Sequence, residues 1–412
     1  MKNARGRSAE RGAVLIHVAV LMLVLIGFLT FVVDHGVMWV ARAQAQNAAD
    51  AGALAGAVAM AYDANGWTDQ TPTGPARQSA YQMATTHGVI GAYPSVIMAS
   101  DVVFTGFPAD MCPPDAGGNP HCIRVDVYRN QVRGNALPSI FGQVFGITAH
   151  GVRATATARV AVADASDCLK PWIIPDKWAD NYDTTPEPNS PFWSEDDTYE
   201  RFDRRGNPLV PPDSYVAPSS TGPGTGFTVS ADRGTRITLK QGSPSTSLES
   251  GVFQPVRIPR FDGGSTGGAD YEDNIATCNG LPIGIGDILQ SENGNMVGPT
   301  NHGVDALIAL DPYAEWDTGT SSVINSCATA NPSCGRSPRI VAVPVFDTEY
   351  FYSSDRQGLP TFRIVNILGF FIDHMQGNDV VGWLTEAPGL ARAATAPIQP
   401  NSSFLAEIQL IR

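Results

Sequence analysis

The sequence is short of charge: Asp, Glu, Lys and Arg make up 16% of its 412 residues, against the usual quarter for a globular domain. Positive charge is scarcer still. The 27 Lys and Arg face 40 Asp and Glu, leaving a net charge of −13. So acidic a surface repels phosphate backbones, which argues against nucleic acid as a partner. Histidine is sparse and scattered, with seven in the chain, so no imidazole metal site is expected. No C-x-x-C pair is present, which argues against zinc. The Gly-rich stretch 293–300 carries no Lys and no G-K-[ST], so its glycines read as turn residues. Neither cofactor nor metal is expected.

The chain has only one long apolar run, residues 13–33. About 20 apolar residues suffice to cross a hydrocarbon core as a helix. The shorter run at 364–372 reads as a buried strand. Lys2, Arg5, Arg7 and Arg11 precede the long run with only Glu10 against them, which holds that end in the cytoplasm and places the bulk of the chain on the other side. A cleaved signal peptide is the competing reading, since Ala41-Arg42-Ala43 and Ala43-Gln44-Ala45 have the A-x-A form. The run is longer than a signal core, and those patterns lie well past its end, so an uncleaved anchor is preferred.

Without a break, the run passes into an Ala-rich helix over 34–64, with no Pro from Val37 to Tyr62. Ala is the best helix former because ordering it removes no side-chain entropy. One face carries Ala45, Ala48, Ala49, Gly52, Ala55, Gly56 and Ala59, and Gly52 with Gly56 makes a G-x-x-x-G step. Small residues let backbones approach closely, either on the protein's own domain or on another subunit.

Six cysteines beyond the membrane side point to disulfides. Local spacing pairs Cys112 with Cys122 and Cys327 with Cys334, which leaves Cys168 with Cys278. Six cysteines permit fifteen pairings, so spacing alone does not settle the connectivity.

Arg11-Gly12, the apolar run, Val33-Asp34-His35-Gly36, Arg42 and Gln46-Asn47-Ala48-Ala49-Asp50-Ala51-Gly52-Ala53-Leu54-Ala55-Gly56-Ala57 together resemble the N-terminal motif of TadE/TadG-like proteins of the Flp (tight adherence) pilus. The likeness spans about residues 11–60. It implies a membrane-anchored, minor pilin-like or assembly component of a bacterial envelope, with Asp34, Arg42, Asn47, Asp50, Gly52 and Gly56 in helix packing. Its partners would be the inner membrane and other pilus-assembly or pilin subunits. Two features depart from the pattern. Prepilin peptidases cut after Gly with Glu five places on; after Gly12-Ala13 that place holds His17, which argues against cleavage. The metal loop D-x-S-x-S of a von Willebrand A domain has its nearest match at Asp164-Ala165-Ser166-Asp167-Cys168, where Cys replaces the second Ser.

Beyond the rod, residues 65–163 read as a pilin-like α+β domain: a helix at 76–87, strands at 101–106, 122–129 and 151–162, and a helix at 137–145. Residues 164–412 read as β-rich, with long loops over 176–226. Strands are expected at 227–230, 235–240, 252–258, 338–346, 362–373, 379–385 and 404–411, and a helix at 301–310 capped by Thr300. The fold class is therefore α+β. Asp317-Thr318-Gly319-Thr320 resembles an aspartic-protease loop, but that chemistry needs two carboxylates sharing a proton and no second copy occurs. The acidic stretch 195–200 lacks the D-x-D-x-D-G spacing of a calcium loop and reads as solvated. No enzyme is expected. The alternative to a pilus component is a membrane-anchored adhesion module, with 164–412 holding a surface ligand.

Overall fold

The structure, a computed structural model, describes residues 6–62, 69–112, 120–181, 193–194, 197–203, 205–219, 221–242, 248–263, 267–327, 336–353, 359–392 and 403–411. The chain divides into two compact units, Met1–Arg159 with Ile408–Arg412, and Val160–Glu407.

In the first unit, α1 (Gly6–Leu29) and α2 (His35–Tyr62) run on through one wide π-helical turn at Thr30–Asp34. Among the described residues this is the one helix long and apolar enough to cross a membrane. Every described side chain from Val14 to Leu25 is exposed. The Ala/Gly face of α2 is buried instead. It meets α3 (Pro75–Thr86), whose own buried residues are Ala76, Ala80 and Ala84. Two small faces let the helix axes close up: a Cβ on Gly52 would lie 2.8 Å from Ala84 Cβ, and one on Gly56 would lie 2.7 Å from Ile123 Cδ1. Ile123 belongs to the antiparallel sheet of β1 (Val102–Thr105), β2 (Cys122–Arg129) and β3 (Val152–Val162). The disulfide Cys112–Cys122 ties β2 to the loop after β1. Arg159 Nε donates to Gln409 Oε1 at 2.8 Å, which fastens the C-terminal residues to this unit.

The second unit is built on a closed ring of strands. Taken in chain order, these are β4 (Trp172–Pro175), β5 (Arg236–Gln241), β6 (Val252–Pro255), β7 (Ile340–Phe346), β8 (Thr361–Gln376) and β9 (Asp379–Thr385). Around the ring the order is β8-β7-β4-β6-β5-β9, and β9 pairs back onto β8. Strand parity separates two cores. Trp172 and Ile174, Ile237 and Leu239, Phe253, Val341, Val343 and Val345, Leu368 and Phe370, and Val380 and Leu384 converge from all six strands in one cluster, which fills the barrel. Ile173, Ala342, Phe346, Ile364 and Ile367 point the other way into a second cluster. Cys168–Cys278 and Lys170 secure the end of α4 (Gly268–Ala276). Lys170 is buried and donates to the carbonyls of Ile275 at 2.7 Å and Thr277 at 2.8 Å, the orphan acceptors of a helix C-terminus.

Three expected elements differ. The helix expected at 137–145 is a short strand at Leu137–Pro138 and a 3₁₀ turn at Gly142–Phe145, because Leu137 and Pro138 are held extended by pairing with His150 and Ala149, and Gly146 in the left-handed conformation ends the turn. The strand at 227–230 is a helical turn, Val229–Asp232, because the Thr228 hydroxyl accepts from Ala231 N as an N-cap. The helix at 301–310 begins earlier, at Val297, and Pro299 is tolerated in its first turn, where N–H groups lack partners anyway. Thr300 is therefore inside it, with its hydroxyl 3.4 Å from Tyr271 Oη.

Asp176 is fully buried in the second unit and holds a loop to the barrel. Its carboxylate accepts from Phe227 N at 3.0 Å, Lys177 N at 2.9 Å and Tyr215 Oη at 2.9 Å. Burial pushes its pKa up to about 7, against these hydrogen bonds. The native fold therefore holds this proton more tightly than the unfolded chain. The stability it contributes is complete below about pH 4 and is lost as pH rises through about 7. Asp176→Asn is expected to flatten the decline in unfolding midpoint between pH 4 and 7, measured by denaturant titration of the full chain in detergent. Gly56→Leu is expected to destabilise the first unit by about 1–3 kcal/mol through overpacking against Ile123 and Ala80, measured the same way at one pH.

Candidate functional site

Where the apolar run ends, the helix meets its own domain through one carboxylate. Asp34 closes the wide turn and is buried. Four donors converge on it. Ser139 Oγ donates at 2.5 Å, and the backbone amides of Gly142, Ile140 and Phe141 donate at 2.8, 3.0 and 3.3 Å. His150 Nε2 stands 3.9 Å away. A buried ionised carboxylate needs such compensation, because an unpaired charge out of water is strongly disfavoured. Position 142 is glycine for a steric reason. A Cβ there would lie 2.3 Å from Ser139 Oγ and 3.1 Å from Asp34 Oδ2.

Next to this anchor lies an aromatic ladder. Phe31 stacks on His35 with ring centroids 5.6 Å apart, and Trp39 Nε1 donates to His35 Nε2 at 2.7 Å. The i, i+4 spacing places the three rings on one side of the helix. Phe31 and Trp39 are both exposed, and aromatic residues with a polar edge concentrate at membrane–water boundaries. Neither the ladder nor the Ser139–Gly142 cradle is among the features expected from sequence. The ladder has a legible signal in the spacing of Phe31, His35 and Trp39. The cradle has none, being more than 100 residues from Asp34 along the chain.

The residues singled out from sequence separate onto different sides of α2. Gly52 and Gly56 face α3 and β2, so the small-residue face is covered by the protein's own domain. Arg42 and Asn47 are exposed. Asp50 is half-buried and accepts from Gln46 Nε2 at 2.7 Å, while Gln46 also donates to Thr155 O at 3.0 Å. The outward side carries Val40, Ala43, Asn47, Leu54 and Val58, at spacings of three, four, seven and four, one stripe of the helix. Gly12 and Ala13 lie within α1. Cys334 lies outside the described residues, and with it the pairing to Cys327.

Asp317 lies at the end of a short, half-buried strand, Glu315–Asp317, where it accepts from Gly319 N at 3.0 Å and Thr320 Oγ1 at 2.6 Å. That is the local geometry of an Asx turn. Among the described residues, no group of three His, Cys, Asp or Glu side chains gathers as a metal site.

Asp34→Ala leaves a buried hydroxyl and three amides without their acceptor. It is expected to destabilise the first unit by about 2–4 kcal/mol, at about 1–3 kcal/mol per orphaned group with partial rehydration. Amide hydrogen exchange at Ile140, Phe141 and Gly142 should accelerate, which separates this effect from a general loss of packing.

No curated protein and no solved structure matches the chain. Residues 12–59 match the Tad family model, "Putative Flp pilus-assembly TadE/G-like", so the helix from the apolar run through Ala59 of α2 is the Tad-like segment of this protein.

Proposed function

We propose that this protein is a membrane-anchored, non-catalytic component of a Flp/Tad pilus apparatus, acting as a minor pilin-like or assembly subunit. The observation that carries the reading is the coincidence of the Tad-like segment with a helix exposed over its apolar half and covered on only one side over its Ala-rich half. The basic residues before Gly12 keep that end in the cytoplasm, and the chain beyond the apolar run lies on the periplasmic side of the inner membrane.

Because the Ala/Gly face of α2 is occupied at home, packing on other subunits falls to the outward stripe. Leu54 and Val58 are large apolar side chains left 37% and 45% exposed on a helix whose opposite face is closed. Asn47 lies in the same stripe, and one polar residue in an apolar helix seam selects register and partner. The domains are then presented by a rod that stays in the membrane, since His17 stands where a prepilin peptidase would need Glu.

Leu54→Glu with Val58→Glu tests this in cells that build the pilus. Both side chains are exposed, so the fold and export should be retained while pilus assembly falls severalfold. Unchanged piliation, with the variant present in inner-membrane fractions, would sink the packing role. Recovery of the wild-type protein in sheared filaments would mark it as a filament subunit, and its retention in the inner membrane as a scaffold.

A further inference from the structure

The loop that cradles Asp34 has a second, outward side. From Ser139 to Thr148 the chain carries no charged residue. Within that stretch Ile140, Val144, Phe145 and Ile147 are 55%, 59%, 52% and 45% exposed. Four large apolar side chains held in water within eight residues form a patch that calls for a partner. Its position identifies one. Phe145 Cζ lies 3.6 Å from where a Cβ on Gly27 would stand. Gly27 is inside the apolar run, seven residues before Asp34, or about 10 Å along the helix at 1.5 Å per residue. The loop tip therefore lies beside α1, below the level at which the apolar run ends.

The loop is also prepared for a medium without water. Ser139 N donates to Thr148 O, Val144 N to Phe141 O, Gly146 N to Gln143 O and Ile147 N to Gly142 O. Asp34 accepts from the amides of Ile140, Phe141 and Gly142. Gln143, the one amide side chain of the stretch, donates to Ser139 O at 2.8 Å. Irregular backbone enters hydrocarbon only when its polar groups are satisfied internally.

We propose that Ser139–Thr148 is a second membrane contact, an apolar wedge lodged at the headgroup–acyl boundary of the leaflet from which α1 emerges. This rests on the reading of α1 as the membrane span. Asp34 then joins the domain to the helix and also sets the depth of the wedge. Burial of an apolar loop by about 5–10 Å is the depth typical of interfacial segments.

The test uses the full chain reconstituted in phosphatidylethanolamine/phosphatidylglycerol vesicles, with an environment-sensitive NBD label at one introduced cysteine: Val144→Cys, Leu21→Cys within the span, or Val58→Cys on α2 as the aqueous control. Quenching by lipids carrying a nitroxide near the headgroup is expected to be severalfold stronger at position 144 than at 58, with blue-shifted emission. Position 21 should respond to a nitroxide deep in the acyl chain. If 21 is quenched and 144 behaves like 58, the wedge is refuted and the span stands. If 21 is not quenched either, the span reading fails and the wedge falls with it. A blue shift at 144 that disappears on diluting the protein in lipid, without lipid quenching, would assign the patch to a protein partner and overturn the proposal.

Discussion

The structure of the first unit depends on one carboxylate meeting one loop. A long helix could leave its domain at any point and in any direction. Here Asp34 accepts from Ser139, Ile140, Phe141 and Gly142, which fixes both where the apolar run stops and which side of the helix faces the domain. The wide turn at Thr30–Asp34 falls at this point. It is the place where a helix with all its described side chains exposed over Val14–Leu25 becomes one with a single buried face, and a π turn shifts the angular register between the two halves.

Beyond Asp34 a different constraint takes over. The contact between α2 and α3 is made by Ala and Gly on α2 and by Ala on α3, so its stability comes from close backbone approach rather than from large side chains. Such a contact tolerates no added volume: a Cβ on Gly52 would lie 2.8 Å from Ala84 Cβ, and one on Gly56 would lie 2.9 Å from Ala80 Cβ. It also uses up the very surface that a membrane helix would offer for association. The proposed packing on other subunits therefore falls to the exposed side of α2, with Val40, Asn47, Leu54 and Val58.

The second unit is organised by closure. A single sheet of these strands would have two edges. Pairing of β8 with both β7 and β9 closes the ring, and edge-to-edge association is avoided. Long β8, with 16 residues, pairs with β7 over 364–371 and with β9 over 369–376, one neighbour along each of its edges. Burial of Asp176 and Lys170 near its periphery holds loops and a helix end that hydrophobic packing alone would leave loose.

From sequence alone, the apolar run, the helical extension, the Tad-like pattern and the α+β class were determined, because each rests on local composition or on a period shorter than the element itself. The strands at Asp379–Thr385 and Cys122–Arg129 were legible for the same reason. Tertiary structure alone decided the rest. Residues 137–145 carried a helical apolar pattern, but Leu137 and Pro138 pair with His150 and Ala149 and stay extended, and a carboxylate more than 100 residues away holds the amides that follow. The Gly52–Gly56 face could serve a partner or the home domain, and only the position of α3 settled its contact. The barrel was invisible because closure is a matter of which strands pair, and the pairing energy lies between residues far apart in the chain, where no single-strand pattern records it.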